Sequence, residues 1–431
     1  MRKKILVKAP ALSRSGYGEQ SRFCLRALRS HEDKFDIYLL NIPWGKTGQI
    51  SINNEEKQWI NNLLMKTATY AQHHGNAPPF DVSLQITIPN EFEKIAPINI
   101  GYTSGIETTK IAPIWIQKSN EMVDHIITIS EHSKAVLANT SYDVADEDGN
   151  PIPGKEGWRI TVPIEHIDYP VRLFDPEALN VTFNTTKNFL LFSQWSPRKN
   201  FVNSIKWFVE EFRDDEDVGL VIKTNTAADS ILDREVTAHR IRGLLAGLGE
   251  RKCKIHFLHG DITSENLAWL YTHPTMKGII NIAHGEGFGI PLLEAASYGL
   301  PIITITWGGQ LDFICKPNKK GKRVPLVSKV DYDIAKVQPE AVWEGVIQAD
   351  AMWAYAREAS YKRAIRAALD KEKHCKKQAE QLRKYVLKTF TAESYAQGLA
   401  DNILQCLPPE DEGVEVDIDS WLEQLEVSEY D

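Results

Sequence analysis

The eighteen residues His284-Gly-Glu-Gly-Phe-Gly-Ile-Pro-Leu-Leu-Glu-Ala-Ala-Ser-Tyr-Gly-Leu-Pro301 limit the folds open to this chain more than any other stretch. An apolar run, Gly278–Ile282, precedes them and reads as a buried strand. Three glycines within five residues follow (Gly285, Gly287, Gly289), so the backbone can approach a ligand without Cβ atoms in the way. Pro291 suits a first helical turn, where a missing N–H costs nothing. Gly299 ends that helix, and Pro301 opens the next strand. A glycine loop feeding a helix at the carboxyl end of a parallel strand is a place where free N–H groups and the helix dipole favour anions, pyrophosphate above all. Two acids frame it, Glu286 and Glu294, with seven residues between. Carboxylates accept from hydroxyls, and a nucleotide sugar has hydroxyls on both sides of its pyrophosphate.

Short β-branched runs alternate with amphipathic segments along the chain, the pattern of parallel sheets covered by helices. Strands are expected at Ile5–Val7, Asp36–Leu40, Val82–Ile86, Ile98–Tyr102 and Ile126–Ile129, with helices at Tyr17–Leu28 and Ser130–Ala138. Tyr142–Arg159, rich in Gly, Pro and acids, reads as an exposed loop or hairpin. The pattern restarts at Phe189–Phe192 and continues through Gly219–Ile222, Lys254–Leu258, Gly278–Ile282 and Pro301–Thr306. We expect a first domain over 1–175, a second over 186–388 and a helical region over about 341–406 broken near Thr389–Thr391. Its last piece, 389–407, is expected to pack back on the first domain, followed by an acidic tail over 408–431.

The formal charge of −8 comes from 58 acids and 50 bases. Residues 410–431 hold ten acids and no base, which leaves 48 acids against 50 bases before them. The body is therefore near neutral, which excludes a protein coated in basic charge. The tail is expected to be loose and able to dock a protein partner. No run approaches the roughly 20 apolar residues of a membrane span. Five scattered cysteines without a CxxC pair suggest neither a disulfide framework nor a zinc site, which fits a cytoplasmic location.

Glu286-Gly-Phe-Gly-Ile-Pro-Leu-Leu-Glu294 resembles the E-x7-E signature of retaining GT-B glycosyltransferases of the family-4 (group 1) type. The resemblance implies an α/β GT-B fold, two Rossmann-like domains with parallel sheets facing across a cleft, and a nucleotide-diphosphate sugar held mainly by the second. It implies that Glu286, Gly287, Phe288 and Gly289 face the transferred sugar and that Glu294 faces the ribose. Phe192-Ser-Gln-Trp-Ser-Pro-Arg198-Lys199-Asn200 is similar to the family's strand-end motif, which puts Lys199 on the leaving diphosphate. The usual Gly-Arg pair reads Ser193-Gln194 here, so its phosphate cation is either absent or supplied by Arg198 or Lys223. Ser15-Gly16-Tyr17-Gly18 is similar to the first-domain glycine loop, which would approach the diphosphate from the opposite wall. Glu107 occupies the region that in relatives lies near the sugar or the acceptor, and Ser130 reads as a helix N-cap.

The function the resemblance implies is retaining transfer of a hexose or pentose from a nucleotide-diphosphate sugar to a hydroxyl acceptor, with no required metal or further cofactor. Two basic stretches, Lys316–Arg323 and 362–388, make an anionic acceptor such as a modified nucleic acid or an acidic glycan one expectation; solvated surface is the other. The rival classes are a GT-B nucleotide-sugar epimerase or phosphorylase, and a non-catalytic nucleotide-sugar-binding protein. Trp44-Gly45-Lys46-Thr47 lacks the earlier glycine of a P-loop, since Leu40 stands there. Asp331-Tyr-Asp333 and Asp417-Ile-Asp419 follow no nucleotide-binding strand, and His73-His74 is expected in a polar loop. His256, His259 and His284 lie near predicted strand ends, where a satisfied structural histidine is the commoner role.

Overall fold

The computed structural model describes residues 2–51, 53–75, 79–144 and 156–408. The acidic tail, including Asp417-Ile-Asp419, lies outside the described residues. The first half runs β1 (Lys3–Ala9), α1 (Gly16–Arg29), β2 (Phe35–Asn41), α2 (Glu55–His74), β3 (Val82–Ile86), β4 (Ile98–Tyr102), α3 (Pro113–Met122), β5 (His125–Thr128), α4 (Glu131–Asn139) and β6 (Ile164–His166). Its six strands form one parallel sheet ordered β2-β1-β3-β4-β5-β6. The central strands are buried on both faces: Ile5, Val7, Val82, Leu84, Ile86 and Ile100 are apolar, while the alternate residues Ser83, Gln85 and Asn99 are buried and hydrogen-bonded to one another.

The second half contains β7 (Lys187–Phe192), α5 (Phe201–Glu211), β8 (Val218–Lys223), α6 (Ile231–Ala246), β9 (Lys254–Leu258), α7 (Ser264–Thr272), β10 (Met276–Asn281), α8 (Ile290–Ser297) and β11 (Ile302–Ile305). A short α9 (Leu311–Ile314), the hairpin β12 (Cys315–Pro317) and β13 (Arg323–Pro325), and β14 (Ser328–Val330) follow. The second sheet is also parallel, ordered β14-β11-β10-β7-β8-β9. A second hairpin, β15 (Tyr332–Lys336) with β16 (Met352–Ala356), precedes α10 (Glu358–Asp370), α11 (Glu372–Thr389) and α12 (Ala392–Cys406).

Helix α12 crosses from the second half to lie on α1, and the Tyr102 and Tyr395 hydroxyls meet at 3.0 Å. One apolar cluster includes Val7 and Phe23 of the first half and Phe288 and Phe313 of the second. Both sheets point the carboxyl ends of their central strands into the cleft between them, and Ser104 and Glu107 on one side face Glu286 and Gly287 on the other.

Two expectations need correction. The helical region begins at Glu358, not near 341, because Met352–Ala356 is a strand whose Trp353 and Ala354 are buried. Pro339 and Gly345 (φ +73°) already break any helix there. His73 and His74 close the last turn of α2 instead of lying in a loop. The basic run Lys316–Arg323 is the β12–β13 hairpin, its turn tied by the Asn318 amide donating to the Lys322 carbonyl at 2.9 Å. Tyr142 and Trp158 exchange backbone bonds of 3.0 and 2.8 Å at the base of the segment expected to be a loop or hairpin; residues 145–155 within it lie outside the description.

Candidate active site

Strand β10 delivers the chain into the cleft at Asn281, and the glycine loop then turns under the first domain. Each small residue there answers a close approach. A Cβ on Gly285 would lie 2.3 Å from the Glu107 carbonyl oxygen, and one on Gly287 3.1 Å from that of Ser104. Gly289 adopts φ +89°, a left-handed conformation that glycine takes without penalty, and so starts α8. The loop after β11 packs against the same turn: Gly309 N–H donates to the Glu286 carbonyl at 2.8 Å, and a Cβ on Gly309 would overlap the Gly287 carbonyl at 1.8 Å.

Glu286 is buried and saturated with donors. Lys199 Nζ sits 2.6 and 2.7 Å from its two oxygens, Asn281 Nδ2 donates at 2.8 Å, and Arg198 lies 3.4 Å away. Burial alone would raise its pKa, but the charges of Lys199 and Arg198 outweigh it and pull the carboxyl down to about 2. Lys199 is depressed by burial and by its neighbour Arg198, against which Glu286 pulls upward. Arg198 also donates to the Gly285 carbonyl at 2.7 Å and pairs with Glu107 of the first domain at 3.0 Å. The strand-end motif is aimed by a single 3-10 turn, Pro197–Lys199, that ends on Asn200 in the left-handed region (φ +53°). Asparagine tolerates that conformation, and the Asn200 amide donates to the Ile282 carbonyl at 3.2 Å, locking the turn to the end of β10.

Glu294 projects from α8 with one hydrogen-bond partner among the described residues, the Tyr271 hydroxyl at 2.9 Å. Burial, with the nearby negative charge of Glu19, raises its pKa to about 7, against the pull of Tyr271 and Arg172. Between the two glutamates runs a cleft of about 410 Å³, walled by Ser15, Gly16, Ser104 and Glu107 on one side and by Gln194, Arg198, Lys199 and residues 286–291 on the other.

Most of the residues picked from sequence meet here: Glu286, Lys199, Arg198, Glu107, Gly16, Gly287, Gly289 and Glu294 all line this cleft. Three have different surroundings from those expected. Tyr17 turns away from the cleft, its hydroxyl 2.9 Å from Thr103 Oγ1 and accepting from the Ser104 amide at 3.1 Å, its ring against Trp44. Gly18 packs on the preceding loop, where a Cβ would lie 1.9 Å from the Ser13 carbonyl. Phe288 lines the cleft, but its ring is buried against Tyr169 and Phe313, where it anchors the loop. Gln194 donates to the Thr226 carbonyl at 2.9 Å, and the buried Lys223 ammonium feels Asp229, Asp261 and Arg14. Ser130 caps α4, accepting from Ser133 N–H at 3.1 Å. His284 is satisfied by the Ala354 carbonyl at 2.7 Å, and His259 by Asp233 at 2.8 Å. Sequence reasoning missed Asn281 and Gly309. The Trp307-Gly308-Gly309 run after a strand was the available signal for the second.

No family profile matches the chain. Serotype-specific mannosyltransferase WbdA sequences from Escherichia coli are 27% identical over 198 residues, which cover 44% of this chain and 22% of the relative. The chain thus spans under a quarter of the curated relatives it matches. Among solved structures, HepE of Anabaena in complex with UDP-glucose superposes with a TM-score of 0.54 at 11% identity, covering 94% of this chain and 100% of that one. Sucrose-phosphate synthase from Thermosynechococcus elongatus gives 0.58 at 14%, covering 94% and 99%. A glycosyltransferase from Rickettsia africae gives 0.57 at 14% with the same coverage. With two parallel six-stranded sheets facing across a cleft, and Glu286 and Glu294 on the loop and helix that follow β10, this chain has the GT-B fold of these solved structures.

Proposed function

We propose that this chain is a glycosyltransferase that moves a sugar from a nucleotide-diphosphate sugar to a hydroxyl acceptor with retention of configuration. The observation that carries the reading is the buried, ionised Glu286 on a glycine loop, with Lys199 and Arg198 at its side, in the cleft between two parallel sheets. A carboxyl held near pKa 2 is an acceptor at neutral pH and not a proton donor. Its role is to bind and orient sugar hydroxyls. The glycosidic bond from C1 to the diphosphate oxygen breaks with its electron pair passing to the diphosphate. Lys199, Arg198 and the amides of the 287–289 loop then stabilise the charge that develops there. The acceptor oxygen bonds to C1 on the face the diphosphate leaves, and its proton passes to the departing phosphate. No side chain of this cleft is needed as general base.

The resemblance at the E-x7-E segment supports ribose binding at Glu294, and the UDP-glucose held by the HepE neighbour supports a nucleotide-sugar donor. For the acceptor, Lys316, Lys319, Lys320 and Lys322 stand exposed on the β12–β13 hairpin, which supports an anionic molecule. Glu286→Gln and Lys199→Met are expected to lose about 10²–10³-fold in turnover, the scale of losing one charge-stabilising group. Turnover within a few fold of wild type in both variants, with circular dichroism unchanged, overturns the assignment. Product analysis with donor alone separates transfer from epimerisation.

A further inference from the structure

The hairpin β15–β16 belongs to the second half but seats its connecting segment in the first. Val346, 7% exposed, shares a buried cluster with Ile111, Ala112 and Trp115 around α3, and Ile347 packs on the same cluster. The seat has a defined shape: Trp343 and Ile347 exchange backbone bonds of 3.1 and 2.7 Å, and the Val346 amide donates to the Trp343 carbonyl at 2.9 Å. Lys110 and Asp350 add an ion pair at 2.6 Å.

From this seat a closed ring of contacts runs to the glycine loop. Thr109 N–H donates to the Met352 carbonyl, and Met352 N–H to Thr109 Oγ1, both at 2.9 Å. Two residues on, Ala354 N–H donates to the His284 carbonyl at 2.9 Å while the His284 ring bonds the Ala354 carbonyl at 2.7 Å. The His284 ring stacks on Trp353 (4.9 Å, 17°), whose side chain is fully buried. His284 N–H donates to the Arg198 carbonyl at 2.8 Å, Arg198 holds the Gly285 carbonyl, and its other nitrogen returns to Glu107, two residues before Thr109. Every link in the ring is a direct hydrogen bond, the Arg198–Glu107 ion pair, or one or two residues of backbone.

We propose that this hairpin is a positioning strap: seating Val346 against α3 sets the placement of the Glu286 loop through Trp353 and His284. Three groups that must align for transfer (Glu286, Arg198 and Glu107) hang on one ring, and the ring closes only while the seat is occupied. An apolar plug in an apolar socket is sensitive to a single buried charge, which has no partner there. The catalytic meaning of the strap rests on the glycosyltransferase reading; the mechanical coupling does not.

The test is hydrogen–deuterium exchange on the full chain as wild type, Val346→Asp and Val346→Ile. In Val346→Asp, peptides covering 282–290 and 111–116 should exchange at least ~10-fold faster, while strands β7 to β9 keep their protection. Val346→Ile should behave as wild type. Faster exchange confined to 343–351 overturns the strap, since the segment would then be a surface decoration. Loss of protection in β7 to β9 overturns it too, because Val346 would be a plain stability residue. In nucleotide-sugar turnover, Val346→Asp should cut kcat about 10-fold or more while the affinity for the matching nucleoside diphosphate moves less than about 3-fold. Coupled exchange together with a wild-type protein that turns over no nucleotide sugar defeats the glycosyltransferase reading and leaves the coupling standing.

Discussion

Two glutamates eight positions apart, one on the loop and one on the helix it starts, meet opposite electrostatic fates. Glu286 collects Lys199, Arg198 and Asn281 and is held ionised; Glu294, half-buried and with only a tyrosine hydroxyl bonded to it among the described residues, is pushed to about 7. Ligand hydroxyls that donate to Glu294 favour its ionised form, so a donor bound there must displace a proton below that pH. Affinity for a nucleoside diphosphate is therefore expected to weaken as pH falls from 8 to 6, by up to about 10-fold per pH unit. Calorimetry in buffers of differing ionisation enthalpy should read proton release near pH 7, and no release would exclude Glu294 from the contact. The spacing of the pair was legible in the sequence, but its ionisation was not. Asn281, Lys199 and Tyr271 reach these carboxylates from three other segments. Lys223 is a different case: it is only 7% exposed, its ammonium has no hydrogen bond or ion pair among the described residues and lies 5.7 Å from the centre of the Phe192 ring, and burial lowers its pKa. Lys223→Met should raise the thermal midpoint by roughly 2–4 °C, since it removes a buried unpaired charge at no loss of volume. Differential scanning calorimetry checks it, and a lowered midpoint would show that the ammonium is in fact satisfied.

At the scale of elements, one glycine motif divides into two tasks. Gly16 opens α1 on the cleft with nothing within 4 Å of an added Cβ, whereas Gly18, two residues later, is shut against the Ser13 carbonyl. Gly16→Ala is expected to leave the melting point within about 2 °C and weaken donor binding; Gly18→Ala should lower the melting point by more than about 4 °C. Thermal unfolding with and without nucleoside diphosphate separates the two. The sequence marks both glycines alike, because only the packing of Ser13 distinguishes them. Long periodic elements such as α1 and the parallel strands were legible, since their apolar faces repeat at the helix and strand periods. The β15–β16 hairpin was not. Its strands are joined by fifteen residues folded on another domain, and Trp353, Ala354 and Tyr355 carry no period that separates them from the helix after Arg357.

At the scale of the whole molecule, the seam between the halves is itself ionisable. Asp168, after β6, faces Asp312 of α9, with His166, Glu131 and Arg323 around them; the Asp312 carboxylate accepts from Glu131 N–H at 2.8 Å and lies 3.5 Å from Arg323. Burial first, and then the facing carboxylate, raise Asp168 to about 7. An acid raised by folding contributes stability that is full below its ordinary pKa and lost as pH climbs toward the folded value. Asp168 and Glu294 both behave so. Glu286 and Glu19, lowered to about 2, contribute stability that is lost as pH falls below the usual carboxylate range. Stability should thus peak near pH 5 and decline by several degrees toward pH 8, and Asp168→Asn should flatten that decline. A melting point of Asp168→Asn that follows wild type across this range would remove Asp168 from the account.

The return of α12 to α1 has a consequence for biosynthesis. Phe23 of α1 packs against Tyr395, and Leu399 and Ile403 share its apolar cluster. On a ribosome, that face of α1 emerges early and must wait until the entire second sheet has been made before its cover arrives. The first domain therefore reaches its final packing only after the second sheet has been translated; its cover is supplied by a segment made after its neighbour.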